Sequence, residues 1–214
     1  CNFDRAYAWS SEAGDTYAQV AKLTDTDDID NPSIWDEFGR SVAIEGDTVV
    51  VGAPEHAIHT GAVFVFRTSD GGATYPRVAK LAASDGNSMD YFGCSVAIAG
   101  ATIVVGAYSK DYGPGLLNSR GAVYVYRTTK NGNYGQVAQL TATDAGQSTV
   151  GINGWKDHFG ESVAIDGGTV LIGARNDEDD HDGELSVPDQ ENSGSVYVFR
   201  EEGSGGAAGA ATAS

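Results

Sequence analysis

Basic residues are scarce in this chain of 214 residues: 13 Lys and Arg stand against 30 Asp and Glu, a formal net charge of −17. Binding to nucleic acid phosphates or anionic membrane surfaces is therefore not expected. Cations, or a partner with a basic patch, remain compatible with the charge. Long apolar runs are also missing. None reaches the roughly 18 residues of a membrane-spanning helix, so no direct membrane insertion is expected. Cysteine occurs only at Cys1 and Cys94, which makes no disulfide framework. The pair can form one bridge, but two unrelated thiols are the expectation, and cysteine usage fixes no compartment. No Asn-x-Ser/Thr acceptor occurs. Methionine occurs once, and the chain starts at Cys1 with no initiator Met. It reads as processed or as a piece of something longer. No Gly-x-Ser-x-Gly elbow occurs, and no pair among the many carboxylates stands out as catalytic. The chain is not expected to be an enzyme.

What the chain does have is glycine, 29 residues of it, with 41% hydrophobic and 20% charged residues. That composition suits a globular domain of short strands and tight turns. An internal repeat then decides the fold class. "FGRSVAIEGDTVVVGAP" starts at Phe38, "FGCSVAIAGATIVVGAY" at Phe92 and "FGESVAIDGGTVLIGAR" at Phe159. Phe and the Gly of Gly-Ala are 14 residues apart each time (38 to 52, 92 to 106, 159 to 173). "GAVFVFR", "GAVYVYR" and "GSVYVFR" follow, starting at Gly61, Gly121 and Gly194. A further segment reads "QVAKL" at 19–23, "RVAKL" at 77–81 and "QVAQL" at 136–140.

Each unit thus offers four strands. "SVAI" alternates small and branched residues, "TVVVGA" is an apolar run suited to cover on both faces, and "AVFVFR" alternates Val with aromatics. "EGD", "AGA" and "DGG" are hairpin turns with Gly available for positive φ. No segment keeps a helical period beyond about ten residues. The fold class is all-β: a β-propeller of four-stranded antiparallel blades. The distance from Gly-Ala to the third strand is 9, 15 and 21 residues, and from the Leu of the fourth strand to the next Phe 15, 11 and 19. Loops after strands two and four leave from the same end of an up-and-down sheet. Both of these variable distances therefore lie on one face, which is how binding surfaces are built.

These residues resemble the FG-GAP repeat of integrin alpha-subunit propellers, in the short variant found in secreted and surface proteins. The resemblance covers about residues 17 to 200, and only the first copy keeps the full Gly-Ala-Pro. It implies propeller blades and a non-catalytic extracellular or cell-surface role in adhesion or ligand binding, with protein or carbohydrate partners. Integrin repeats often carry an Asp-x-Asp-x-Asp-Gly calcium loop between the two halves of the motif. Here only "EGD", "AGA" or "DGG" stands there. Ca²⁺ takes six to eight oxygen ligands, so the family's usual calcium sites are not expected.

The expected organisation is an N-terminal lead (1–16), three blades (17–67, 75–127 and 134–200) and a Gly/Ala-rich tail or linker (201–214). Three blades close poorly, since rings use about four to eight. The chain is thus expected to be part of a larger ring or assembly. The third blade ends without a fourth strand, while 17–24 supplies one with no blade before it. Pairing of 17–24 beside 194–200, within or between chains, is the expected completion. It motivates the alternative reading of a structural subunit of a surface filament or large complex, self-associating by strand exchange.

For Ca²⁺, Glu178, Asp180 and Asp182 in "NDEDDHDGEL" approximate the spacing of a calcium loop, against a plain solvated acidic loop. Asp25, Asp27 and Asp30 in "DTDDIDN" form a second candidate set. His56 and His59 lack further ligands in sequence and read as ordinary loop residues. Asp36, Asp90 and Asp157 stand two before each Phe, where a carboxylate accepts backbone N–H bonds. Arg67, Arg127 and Arg200 close the third strands and can pair with acidic neighbours. Trp35, Tyr91, Tyr108, Tyr112 and Trp155 fall in the variable loops and suit protein or carbohydrate contact, against simple packing of the loops.

Overall fold

The computed structural model describes residues 5–12, 16–24, 35–110, 120–142, 157–177 and 194–202; for 5–12, 16 and 17 it describes the backbone alone. Thirteen strands form four antiparallel sheets among these residues. A hairpin pairs β1 (Arg5–Glu12) with β2 (Thr16–Thr24). The next sheet has the order β3-β4-β5-β6 (Ser41–Glu45, Thr48–Ala53, Ala62–Arg67, Arg77–Leu81). The third has β7-β8-β9-β10 (Ser95–Ala99, Thr102–Ala107, Ala122–Thr128, Tyr134–Leu140), and the fourth β11-β12-β13 (Phe159–Asp166, Thr169–Ala174, Ser195–Arg200). These are β-propeller blades in series, not closed into a ring by this chain.

The repeated Phe-Gly makes a four-residue turn. Arg40, Cys94 and Glu161 donate their N–H to the carbonyls of Glu37, Tyr91 and His158. The third turn residue is Gly39, Gly93 or Gly160, at φ 93°, 92° and 91°, a backbone region that glycine enters without steric cost. Gly39 and Gly93 then donate to the carbonyls of Gly52 and Gly106, at 3.0 and 2.9 Å. Phe-Gly is thereby tied to the Gly-Ala of its own blade. Gly-Ala also receives the next blade. A methyl group on Gly52 would overlap the Gly93 carbonyl, and one on Gly106 the Gly160 carbonyl. The serine of "FGxSVAI" completes the joint: Ser41 Oγ donates to the Gly93 carbonyl at 2.8 Å, and Ser95 Oγ to that of Gly160 at 2.7 Å.

The core lies between blades. Phe38 packs edge-on to Phe64, Phe92 to Tyr124 and Phe159 to Tyr197, with centroids 5.4, 5.4 and 5.2 Å apart. Val50, Val63, Val65 and Leu81 meet Phe92, Val96 and Ile103 of the next blade. Val104 and Val123 meet Phe159, Val170 and Ile172 in the same manner. Each fully buried Phe contributes about 2–3 kcal/mol by removal from water. Among the described residues the outer faces of the first and last blades are open, apart from Leu23 of β2, which is buried with Phe38 and Phe64. Val42 and Ile44 of β3 are exposed at one end, and Leu171, Val196 and Val198 at the other.

Two details differ from the sequence reading. The lead 1–16 contains a strand, β1, and β2 pairs with it rather than beside 194–200. β1 begins "RAYAW", the same position in a blade as "AVFVF" and "AVYVY". Its two alanines in place of valines hid the likeness. Sheet boundaries also fall one strand later than repeat boundaries: 75–81 closes the blade that starts at Ser41, because β6 pairs with β5.

Candidate functional site at the loop end of the blades

The loops after the second and fourth strands meet at one end. The segment after β4 turns left-handed at Ala57, Ile58 and His59, with φ of 52°, 59° and 61°. Such geometry costs roughly 1–2 kcal/mol per non-glycine residue and persists only where the surroundings hold it. Here the neighbouring loop holds it: Tyr91 and Phe92 donate to the carbonyls of His59 and Thr60, at 3.0 and 3.2 Å. Ser88 Oγ donates to the Ile58 carbonyl at 2.9 Å. The outcome is an Ile58 side chain 77% exposed, with Met89, itself at φ 70°, also exposed.

Beside this turn stands a column of four rings drawn from three blades. His59 lies 5.5 Å from Tyr91, Tyr91 stacks on Tyr108 at 5.2 Å and 18°, and Tyr108 lies 5.0 Å from His158. Burial, followed by the neighbouring Tyr91, pushes the Tyr108 phenol up to about 12. It is therefore neutral over the physiological range. The column offers flat, half-buried aromatic surface with polar edges, the type of surface used for protein and sugar contact.

Under the loops lie two polar clusters, buried at Asp36 and His56 in one and at Asp90 and Lys110 in the other. In the first, His56 Nδ1 is 3.1 Å from Asp36 Oδ2, and Lys80 Nζ is 2.9 Å from His56 Nε2. In the second, Lys110 Nζ donates to Asp90 Oδ2 at 2.9 Å and to the Asp85 carbonyl at 2.6 Å. The Tyr124 hydroxyl donates to Asp85 Oδ1 at 2.7 Å. Burial opposes the Asp85 charge, but the Tyr124 hydrogen bond and the Lys110 ammonium hold its carboxyl below the ordinary range. These paired clusters fix the loops; every charge named in them has an opposite or hydrogen-bonding partner.

The structure places Trp35 in the open, 69% exposed, and joins Tyr91 to Tyr108. Tyr112 and Trp155 lie outside the described residues, as do Glu178, Asp180, Asp182, Asp25, Asp27 and Asp30. Among the described residues there is no group of three or more metal-ligating side chains, and no helix is long and apolar enough to cross a membrane. Asp90 accepts the Asn87 N–H at 2.7 Å, as its place before Phe-Gly suggests. Its ion pair with Lys110, and the Asp36–His56 contact, connect residues 20 apart and carry no local signal in the sequence. Sequence reasoning also missed His59, His158, Ile58 and Met89. His158 had a signal: like Tyr91, it directly precedes a Phe-Gly, so repeat alignment alone puts the two rings in equivalent places. Of the matched arginines, Arg67 and Arg127 both donate Nε–H to a threonine of their own blade, Thr48 and Thr102, but their outer nitrogens differ. Arg127 makes a bidentate pair with Glu201, at 2.8 and 2.6 Å, whereas Arg67 donates to Tyr134 at 2.7 Å.

Comparison with known proteins agrees with this architecture. The FG-GAP repeat family matches at residues 17–66, 75–126 and 134–199, more than half of the chain. No curated protein matches the sequence. The chain belongs to the FG-GAP repeat family.

Proposed function

We propose that this FG-GAP repeat protein is a non-catalytic, extracellular binding or adhesion module that takes a protein or carbohydrate ligand on its loop face. The observation that carries the reading is the His59–Tyr91–Tyr108–His158 column, with Ile58, Met89 and Trp35 exposed at the same end. The carbonyls of this strained turn are tied to the neighbouring loop, but the branched apolar Ile58 side chain that it presents to solvent packs on nothing in the fold. It suits a surface kept for a partner. Loop lengths vary most at this end, while the scaffold repeats. Membership of a family whose repeats serve in binding and adhesion supports the non-catalytic reading, and the family's usual setting supports an extracellular one.

The test is binding of the full chain to immobilised panels of extracellular-matrix proteins and glycans. Tyr108→Ala and Ile58→Ser should abolish a signal that the parent gives, with the circular dichroism unchanged. Binding untouched by both substitutions would remove the loop face from consideration.

A further inference from the structure

We propose that the open face of the last blade is a socket for a Phe-Gly turn, and that its occupant is the Phe38-Gly39 turn and β3 of a second copy of this chain. The internal repeats show what such a face receives. Behind β4 and β5 it receives Phe92-Gly93, and behind β8 and β9 it receives Phe159-Gly160. The receiving atoms are the serine hydroxyl, the Gly-Ala glycine and three branched side chains. Ser162, Gly173, Leu171, Val196 and Val198 stand in those places behind β12 and β13. Their valines and leucine are 42–68% exposed, while the equivalents Val50, Val63, Val65, Val104 and Val123 are at 0% and Val125 is at 8%. A cavity of about 570 Å³ opens between Ser162, Gly173, Ala174, Gly194 and Val196, where the turn would seat.

The same chain carries the matching plug. Val42 and Ile44 are 60% and 65% exposed, yet their repeat equivalents Val96 and Ile98 pack on the preceding blade. Charge agrees with the match. His158 precedes Phe159 and lies against Tyr108, the residue after Gly-Ala in the blade before. The same relation would set Glu37 of the incoming copy against Arg175. Arg200 would likewise reach Tyr75 of that copy, as Arg67 reaches Tyr134 within one chain.

Docking brings two strands to one place. Among the described residues β13 has no outer partner, and β2 of the incoming copy lies beside that edge, already paired with its own β1. β13 wins because of its residues. Leu23 of β2 faces Ala6 of β1, whereas Leu81 and Leu140 face Val63 and Val123. Val196 of β13 restores the valine, and Val198 replaces Ala8. β2 therefore leaves β1 and pairs with β13 of the neighbour. The contact is heterologous, so it propagates into a filament or closes into a ring.

Sedimentation of the full chain over a concentration series up to about 1 mM, the weakest affinity of interest, tests this. The parent should assemble. Val198→Glu blocks the socket and Ile44→Glu the plug; both positions are exposed, and circular dichroism checks each fold. Each variant alone should stay monomeric, and a mixture of the two should give a dimer and nothing larger. Ser162→Trp, filling the cavity, should behave as Val198→Glu. A parent that stays monomeric, an assembly that survives either blocked face, or a mixture of folded variants that does not pair would overturn the proposal.

Discussion

Ser95 Oγ donates a 2.7 Å hydrogen bond to the carbonyl of Gly160, the glycine of the following repeat's Phe-Gly turn. Ser41 makes the same bond to Gly93 at 2.8 Å. The serine hydroxyl is thus the closest side-chain donor to a buried carbonyl at the joint between blades; at Gly160 the Cys94 thiol stands farther off, at 3.5 Å. Ser95→Ala leaves that carbonyl short of a donor and should cost about 1–2 kcal/mol. Ser162→Ala, at the open face, should cost near zero in the monomer. Urea unfolding of both variants gives the comparison.

Gly106→Ala should be the more severe lesion. Its methyl group would overlap the Gly160 backbone carbonyl, which can only move with the whole blade. A loss of about 3 kcal/mol is expected, at the upper end for overpacking. At Gly173 the methyl group would meet only the Ser162 hydroxyl among close neighbours, and that side chain can rotate away. Gly173→Ala should cost about 1 kcal/mol or less. Equal losses for the two would argue against blade-to-blade contact as the reason for the glycine.

Lys110 and Asp90 are both buried, with side chains 3% exposed. Removing one partner strands the other charge. Lys110→Met should lose about 3–5 kcal/mol. Adding Asp90→Asn keeps an acceptor for the Asn87 N–H and removes the stranded charge, so the double variant should regain at least half of the loss. Thermal or urea unfolding of the four proteins in the cycle reads the coupling.

Acid stability should depend on Asp85. Its folded-state pKa is depressed by the Tyr124 hydroxyl and Lys110 against the effect of burial. A depressed carboxyl contributes stability that is present above its unfolded value, about 4, and is lost as pH falls through the folded value. Tyr124→Phe removes the hydrogen bond and brings the folded value back toward the unfolded one. The variant should be less stable at neutral pH and show a shallower loss as pH falls below about 4. Urea midpoints across that range measure it. A slope identical to the parent's would take Tyr124 out of the account.

Cys94 should react slowly with thiol reagents in the native state. Burial pushes its thiol up to about 11, so almost no thiolate exists at neutral pH. Cys94 is half-buried, so in a Cys1→Ser background labelling with a chromogenic disulfide at pH about 8 should be much slower in the native state than in denaturant. Rapid native labelling would mean that the joint between Tyr91 and Gly160 opens locally.

The blades are legible from local sequence alone. Phe-Gly, Gly-Ala and the Val-aromatic strand recur at fixed spacing, and each is a local instruction: a glycine for a positive φ, alternation for a pleated face, a short turn for a hairpin. The sequence also placed the variable loops at one end, since strand order alone decides where they leave. β1 escaped notice because Ala6 and Ala8 weakened its pattern. Only the tertiary structure decided what the loops present. His59, Tyr91, Tyr108 and His158 come from three blades, and Lys110 meets Asp90 from 20 residues away. Such contacts depend on how one blade is set against the next, which no single segment encodes. The same holds for the end faces: Val50 and Leu171 occupy equivalent places in their repeats, and one is sealed while the other is open. The physical reason is that burial belongs to a pair of blades, so identical patterns differ in exposure according to whether a neighbour stands beside them.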